Sequence, residues 1–333
     1  MNVIDSIAAL EAVVGKQPPA INLKVIDHVD ATARRWLAAS PLMFAGIGGG
    51  ASIAITIGGG APGFATADAA TLSVPLDLID DPALVRPGAG FSSLFLLPGI
   101  GETLRINGRV ADTVGGIARI AVEECYVHCA KALIRSGFWS APPLDAAPDT
   151  VDAFVAASRF MALATVDPQG HADLSPKGDP AGCMARLADG ALWFPDRPGN
   201  RRTDSFRNII AQPRIAAALL LPGASAVAVL TGIASPTSDE AARAPFTVQG
   251  KTPLLVTAVQ GLAITLRPSA ALARARLWPA AAAPADIKPA KMFAEHLRLN
   301  KDKGLGARIA SAAVSIPGLM QKALDKDYKD NLY

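Results

Sequence analysis

The chain is expected to be a mainly β, α+β protein made of two tandem small barrels with peripheral helices and a helical C-terminal tail. Three observations carry that expectation. The two halves echo each other in order: "FLLPGIGETLRINGRV" (Phe95–Val110) aligns with "LLLPGASAVAVLTGIA" (Leu219–Ala234), "ASPLMFA" from Ala39 with "ASRFMAL" from Ala157, and "AKALIRSGFW" ending at Trp139 with "SAALARARLW" ending at Trp278. Each copy consists of short runs rich in Val, Ile, Leu and Thr, cut by Gly and Pro into strand-sized pieces. The long uncharged stretches from Leu37 to Ala67 and from Ile215 to Ala234 are broken by Gly48–Gly50, by Gly58–Gly60 and by Pro222-Gly223, so they read as strands joined by turns and not as membrane spans.

The elements follow in order. "MNVIDSIAALEAVVGK" has a helical pattern and neither a basic leader nor a long apolar stretch, so secretion is not expected. The first copy is assigned to residues 1–145 and "PPLDAAPDT" before Val151 to a linker. The second copy takes residues 150–280, "WPAAAAPADIKPAK" follows as a second linker, and residues 285–333 form a charged helical tail. That tail could close over a cleft as a lid or pack on a barrel.

Composition narrows the function classes. The 333 residues carry 32 Lys plus Arg against 29 Asp plus Glu, a net charge of +3, too mild to imply a nucleic-acid partner. Few aromatics are present, which limits the stacking platforms that single strands use. Cys125, Cys129 and Cys183 are too few for a disulfide framework, so free thiols and a cytoplasmic location are expected. Nucleophile-elbow, P-loop and dinucleotide fingerprints are all missing.

Two turns of the second copy concentrate the chemistry. "SPKGDPAG" (Ser175–Gly182) supplies a hydroxyl, a lysine and glycines that let backbone approach a ligand. "FPDRPGNRRTDSFRN" (Phe194–Asn208) places Arg197, Arg201, Arg202 and Arg207 around a helix start, with Asn200 or Thr203 as its cap and a stop ahead of Pro213. Guanidinium forks at a helix start suit a phosphate. Surface ion pairs of these arginines with Asp196 and Asp204 are the alternative reading.

The order of these two turns and the following "LLLPG" resembles the pyridoxamine 5'-phosphate oxidase-like FMN-binding split barrels, in particular a bacterial subgroup with "SPRGD" and "PDRPGN-R-DS-RN" turns. The resemblance spans roughly residues 2–278, in a tandem form with a degenerate N-terminal copy. It implies FMN in a cleft between packed barrels, here an intramolecular pseudo-dimer. The phosphate would be held by Lys177, Arg197, Arg201, Arg202 and Ser205, with Asn200 in the same turn and the ring near Ser175, Gly178 and Asp179. Authentic pyridoxamine phosphate oxidation is not favoured, because the turns differ from those of that enzyme.

The copies diverge reciprocally. The first has "ITIGGGAPG" where the second has the lysine turn, and keeps only Arg86 where the second has its arginines. Conversely, it retains Arg105, His128 and Lys131, which the second copy lacks. One composite cleft, one FMN per chain and a monomeric pseudo-dimer or weak homo-oligomer are therefore expected, with a small-molecule substrate and no assigned catalytic residue. Strand alternation turns Cys125 and Cys129 away from His128, which argues against a metal site. His171 follows a hairpin turn and is expected to face solvent. The expected activity is an FMN-dependent oxidoreductase, the alternative a non-catalytic module for flavin, haem or deazaflavin.

Overall fold

A computed structural model of the chain describes residues 2–199, 201–300 and 319–333. Its framework is two antiparallel seven-stranded sheets. The first holds β1 (Leu42–Gly49), β2 (Ser52–Gly59), β3 (Thr66–Ala67), β4 (Thr71–Pro75), β5 (Gly90–Leu96), β6 (Thr103–Asp112) and β7 (Ile117–His128). The second holds β8 (Phe160–Val166), β9 (Ala172–Gly178), β10 (Arg186–Ala188), β11 (Ala191–Pro195), β12 (Arg214–Leu220), β13 (Ala226–Thr237) and β14 (Val256–Pro268). In space the first runs β2-β1-β5-β6-β7-β4-β3 and the second β9-β8-β12-β13-β14-β11-β10, which is the same order strand for strand. The repeated "LPG" turns fall between β5 and β6 and between β12 and β13. Gly99 (φ 75°) and Gly223 (φ 104°) there adopt backbone conformations that a side chain disfavours.

Strand periodicity explains why these runs are apolar throughout. Met43, Ala45 and Ile47 of β1 face the core of the first sheet, while Leu42 and Phe44 face a core shared by both halves. On β8, Met161 and Leu163 enter the core of the second sheet, and Phe160, Ala162, Ala164 and Val166 enter the shared one. Both faces are buried, so the alternation that marks a half-exposed strand is absent.

Contacts across the shared core are reciprocal. β5 packs on β9 and β12 on β2, with β1 against β8. A Cβ on Gly178 would overlap the Ala132 carbonyl of α3 (Lys131–Arg135), and a Cβ on Gly59 would overlap the Ala271 carbonyl of α7 (Ala270–Ala275). The register places Gly59 opposite Leu42 and Gly178 opposite Phe160, at matching positions of the two sheets.

The remaining helices are α1 (Ile7–Val14), α2 (Ala31–Ala39), α4 (Val151–Ala157), α5 (Asp204–Ala211), α6 (Glu240–Arg243), α8 (Pro289–Leu299) and α9 (Leu319–Asp330). Ile4 and Leu10 lie in the core of the second sheet, so the N-terminal segment crosses the boundary expected between the halves. Ile287 and Met292, at and within α8, return to the core of the first. Among the described residues no helix is long and apolar enough to cross a membrane.

Candidate active site

A cavity of about 440 Å³ opens where α3 of the first half meets the two basic turns of the second. His128, Cys129, Lys131 and Arg135 line it from one side, and Ser175, Lys177, Arg197, Arg201, Arg202 and Ser205 from the other. Local geometry explains the convergence. β7 ends at His128 and its chain turns into α3, which presents Lys131 and Arg135. β9 carries Ser175 and Lys177 beside them, and the segment after β11 brings the arginines up to α5. Gly178 and Asp179 line a small adjoining recess of about 50 Å³. Asn200 lies outside the described residues.

Most of the cations are already engaged. Lys177 Nζ is 3.2 Å from Asp196 and lies over the Phe206 ring at 4.9 Å. Arg197 grips the buried Asp179 through Nε at 2.8 Å and donates to the Phe246 carbonyl. Arg202 pairs with Asp204 at 2.5 Å and stacks on Tyr126, 4.4 Å from its centroid. Lys131, 2% exposed at its side chain, meets Asp327 of α9 at 2.9 Å. The ion pairs with Asp196 and Asp204 therefore exist, but at side chains half-buried or deeper. Arg201 has an exposed side chain, sits at positive φ (58°) and makes no ion pair among the described residues. Thr203 precedes α5 without capping it through its side chain.

Arg105 takes a different place from the one expected. It is fully buried away from the cavity, where it donates to Tyr126 Oη at 2.7 Å, to Asp173 Oδ1 at 2.6 Å and to the Leu174 carbonyl. It ties β6 to β9 across the shared core. Burial opposes its charge, and Asp173 and Tyr126 hold the guanidinium protonated. His128 is buried at the cavity wall and its Nδ1 has no hydrogen-bond partner among the described residues. Burial first, then Arg105, Lys24 and Arg202, push its pKa well below the usual histidine value, which keeps the imidazole neutral.

Two features escaped the sequence reading, and a third, the tail, was left open between two placements. Lys24, in the turn Pro19–Lys24, is buried, donates to the Val127 carbonyl at 2.7 Å and lies over the Tyr126 ring. Burial lowers its pKa to about 8, with Arg202 and Arg105 adding to the shift. Val14 of α1 lines the cavity, and Glu11 binds Arg207 at 2.7 Å, so the N-terminal helix braces the arginine turn. Asp327 and Asn331, in and just past α9, also line the cavity, which places this described part of the tail at the cleft. Neither the alternating apolar pattern nor the basic turns carries any signal for these long-range contacts.

Cys129 needs a correction. The strand stops at His128, so alternation does not reach the next residue, and both side chains line the cavity. No group suited to a metal occurs among the described residues. A second, acidic cavity of about 650 Å³ involves Glu123, Glu124, Asp167, His171 and Asp173. His171 is 54% exposed at its side chain and pairs with Asp167.

The residues present fit an anionic organic ligand. Guanidinium and ammonium groups outnumber the two lining carboxylates, and among the described residues Arg201 has no acidic partner and the His128 Nδ1 no hydrogen-bond partner. The volume lies within the roughly 300–1,000 Å³ range of small-molecule sites.

The fold and cleft define a two-sheet β protein with a cavity lined by basic residues of both halves. Residues 147–262 match the family described as pyridoxamine 5'-phosphate oxidase. No curated protein matches the chain in sequence. Among solved structures, HupZ of Group A Streptococcus is 21% identical, covers 34% of this chain and 88% of its own, and has a TM-score of 0.27. An F420 reductase is 16% identical, with 35% and 98% coverage and a TM-score of 0.27. HutZ, the heme storage protein of Vibrio cholerae, is 15% identical, with 32% and 86% coverage and a TM-score of 0.22.

Proposed function

We propose that the chain is a cytoplasmic FMN-dependent oxidoreductase in which two split barrels, residues 1–145 and 150–280, pack as an intramolecular pseudo-dimer and bind one flavin in the composite cleft. The observation that carries this reading is the cavity itself, where basic residues of both halves converge around serine hydroxyls. Arg201 is the first phosphate ligand by its exposure and its lack of an acidic partner among the described residues, with Lys177, Arg197, Arg202 and Ser205 around it. Arginine forks accept phosphate oxygens bidentately, which is the recognition such a turn supplies.

Bound FMN would supply hydride or electron transfer to a small-molecule substrate. The chain's own residues anchor, orient and exclude water. The neutral His128 offers a hydrogen bond to the ligand without adding charge. Support for a single site comes from the matching position in the other half. There Asp80 accepts from Ser269 Oγ at 2.5 Å and from the Ala271 amide at 2.8 Å, while Asp81 binds Arg267. Carboxylates already fill that corner and would repel a phosphate.

Steady-state assays test the catalytic claim. The FMN-loaded protein is expected to be bleached by NADH or NADPH and recoloured by oxygen or a quinone, and Arg201→Ala should weaken FMN binding about tenfold or more, the loss of one charge-assisted contact. The second reading, a module binding haem, a deazaflavin or unreactive flavin, draws on His128, because a neutral imidazole is a nitrogen donor that haem iron accepts. Flavin that never cycles with any donor, or a Soret band in place of flavin absorbance, would decide for it.

A further inference from the structure

The described part of the C-terminal segment is built into the cleft. Asp327 carries the ion pair to Lys131, and Tyr328 donates to Glu102 Oε1 at 2.9 Å while accepting from the Ala130 amide at 3.3 Å. Asn331 lines the cavity beyond them. Tyr333 lies over Arg197 at 5.5 Å and over Arg135 at 5.9 Å, and its carbonyl accepts from Lys251 at 2.8 Å. These contacts reach both halves of the molecule, and the cavity of about 440 Å³ persists with all of them in place. The segment is therefore a wall of the site and not its plug.

A wall that carries a carboxylate changes what the site selects. Lys131 is buried, and Asp327 is its carboxylate partner, so the pair presents no net charge to a ligand. Lys177, Arg197 and Arg202 are each matched by an aspartate, whereas Arg201 is not. A ligand with one phosphate finds two cavity cations, Arg201 and Arg135, that make no ion pair among the described residues, and its uncharged remainder can meet Asp327, Asn331 and His128. A second, separated anionic group would meet the Asp327 carboxylate.

We propose that Asp327, with Asn331 beside it, is a specificity-determining residue of this cleft: by cancelling the Lys131 charge it restricts the site to phosphate monoesters with an otherwise uncharged body. The proposal deepens the flavin reading and rests on it for the identity of the preferred ligand. Asp327→Asn unmasks Lys131 and turns the same cleft toward extended polyanions.

The test uses the full chain, with FMN binding followed by fluorescence quenching and inorganic tripolyphosphate binding by calorimetry. Asp327→Asn should bind tripolyphosphate about tenfold more tightly than the parent, the effect of about 1.4 kcal/mol, with FMN affinity changed less than about threefold. Adding Lys131→Met to Asp327→Asn should abolish the gain, as coupled partners require. Unchanged tripolyphosphate affinity would overturn the proposal. So would equal tightening of both ligands, since the segment would then merely obstruct the cleft. If neither protein binds FMN but the tripolyphosphate gain appears and depends on Lys131, the flavin reading fails while charge cancellation by Asp327 stands.

Discussion

Arg105 shows how a residue type can be legible while its role is not. Its retention in only one copy marked it for the cleft, yet its three hydrogen-bonding partners are Tyr126, Asp173 and Leu174. A sequence shows that a cation is present but not which carboxylate sixty-eight residues away it will meet. Removing one member of a buried pair leaves the other desolvated and unmatched, so Arg105→Met is expected to cost about 3–5 kcal/mol in urea unfolding. Lys24 gives a second test at this scale. Its pKa of about 8 lies below the unfolded value of 10.5, so between those pH values the unfolded chain binds more protons and stability rises with pH. The melting temperature of the parent relative to Lys24→Met should therefore climb from pH 8 to pH 10, and a flat difference would show that Lys24 is not desolvated. By contrast, Lys177, Arg197, Arg201, Arg202 and Ser205 do line one cavity, because short turns keep near neighbours in sequence near in space.

At the scale of elements, the Pro-Gly punctuation and the echo between copies were enough to place the β5–β6 and β12–β13 hairpins. The same echo pairs Gly59 with Gly178, each facing a helix carbonyl of the opposite half. Gly178→Ala and Gly59→Ala should each destabilise by about 1–3 kcal/mol or more through overpacking, measured by thermal unfolding. Gly190→Ala, at a turn where no atom lies within 4 Å of the added Cβ but φ is 72°, should show only backbone strain. What the elements hid was their exchange: α1 packs with the second sheet and α8 with the first, although chain order places each beside the other half. Amphipathic helices advertise an apolar face but not its address. The strand at β7 misled in the same way, since alternation is a property of the strand and ended one residue before Cys129.

For the whole molecule, two sheets of identical strand order meet through reciprocal contacts, yet the two matched corners differ, one being lined by six Lys and Arg side chains around a cavity. The other is closed by Asp80 and Asp81 on Ser269, Ala271 and Arg267. This asymmetry was visible in the sequence as a loss of basic residues and a gain of acidic ones in one copy, and the structure adds the partners that those carboxylates take. The tail was legible as a charged helix with two open placements, over a cleft or on a barrel, because the cleft that it borders does not exist until both halves have folded. The most direct measurement is an equilibrium titration of the flavin-free chain with FMN, reading the flavin-to-protein ratio at saturation from the absorbance spectrum. A ratio of one per chain, with colour lost on combining Lys177→Ala and Arg201→Ala, is the predicted result. A ratio of two, or no bound flavin, would contradict the single composite cleft.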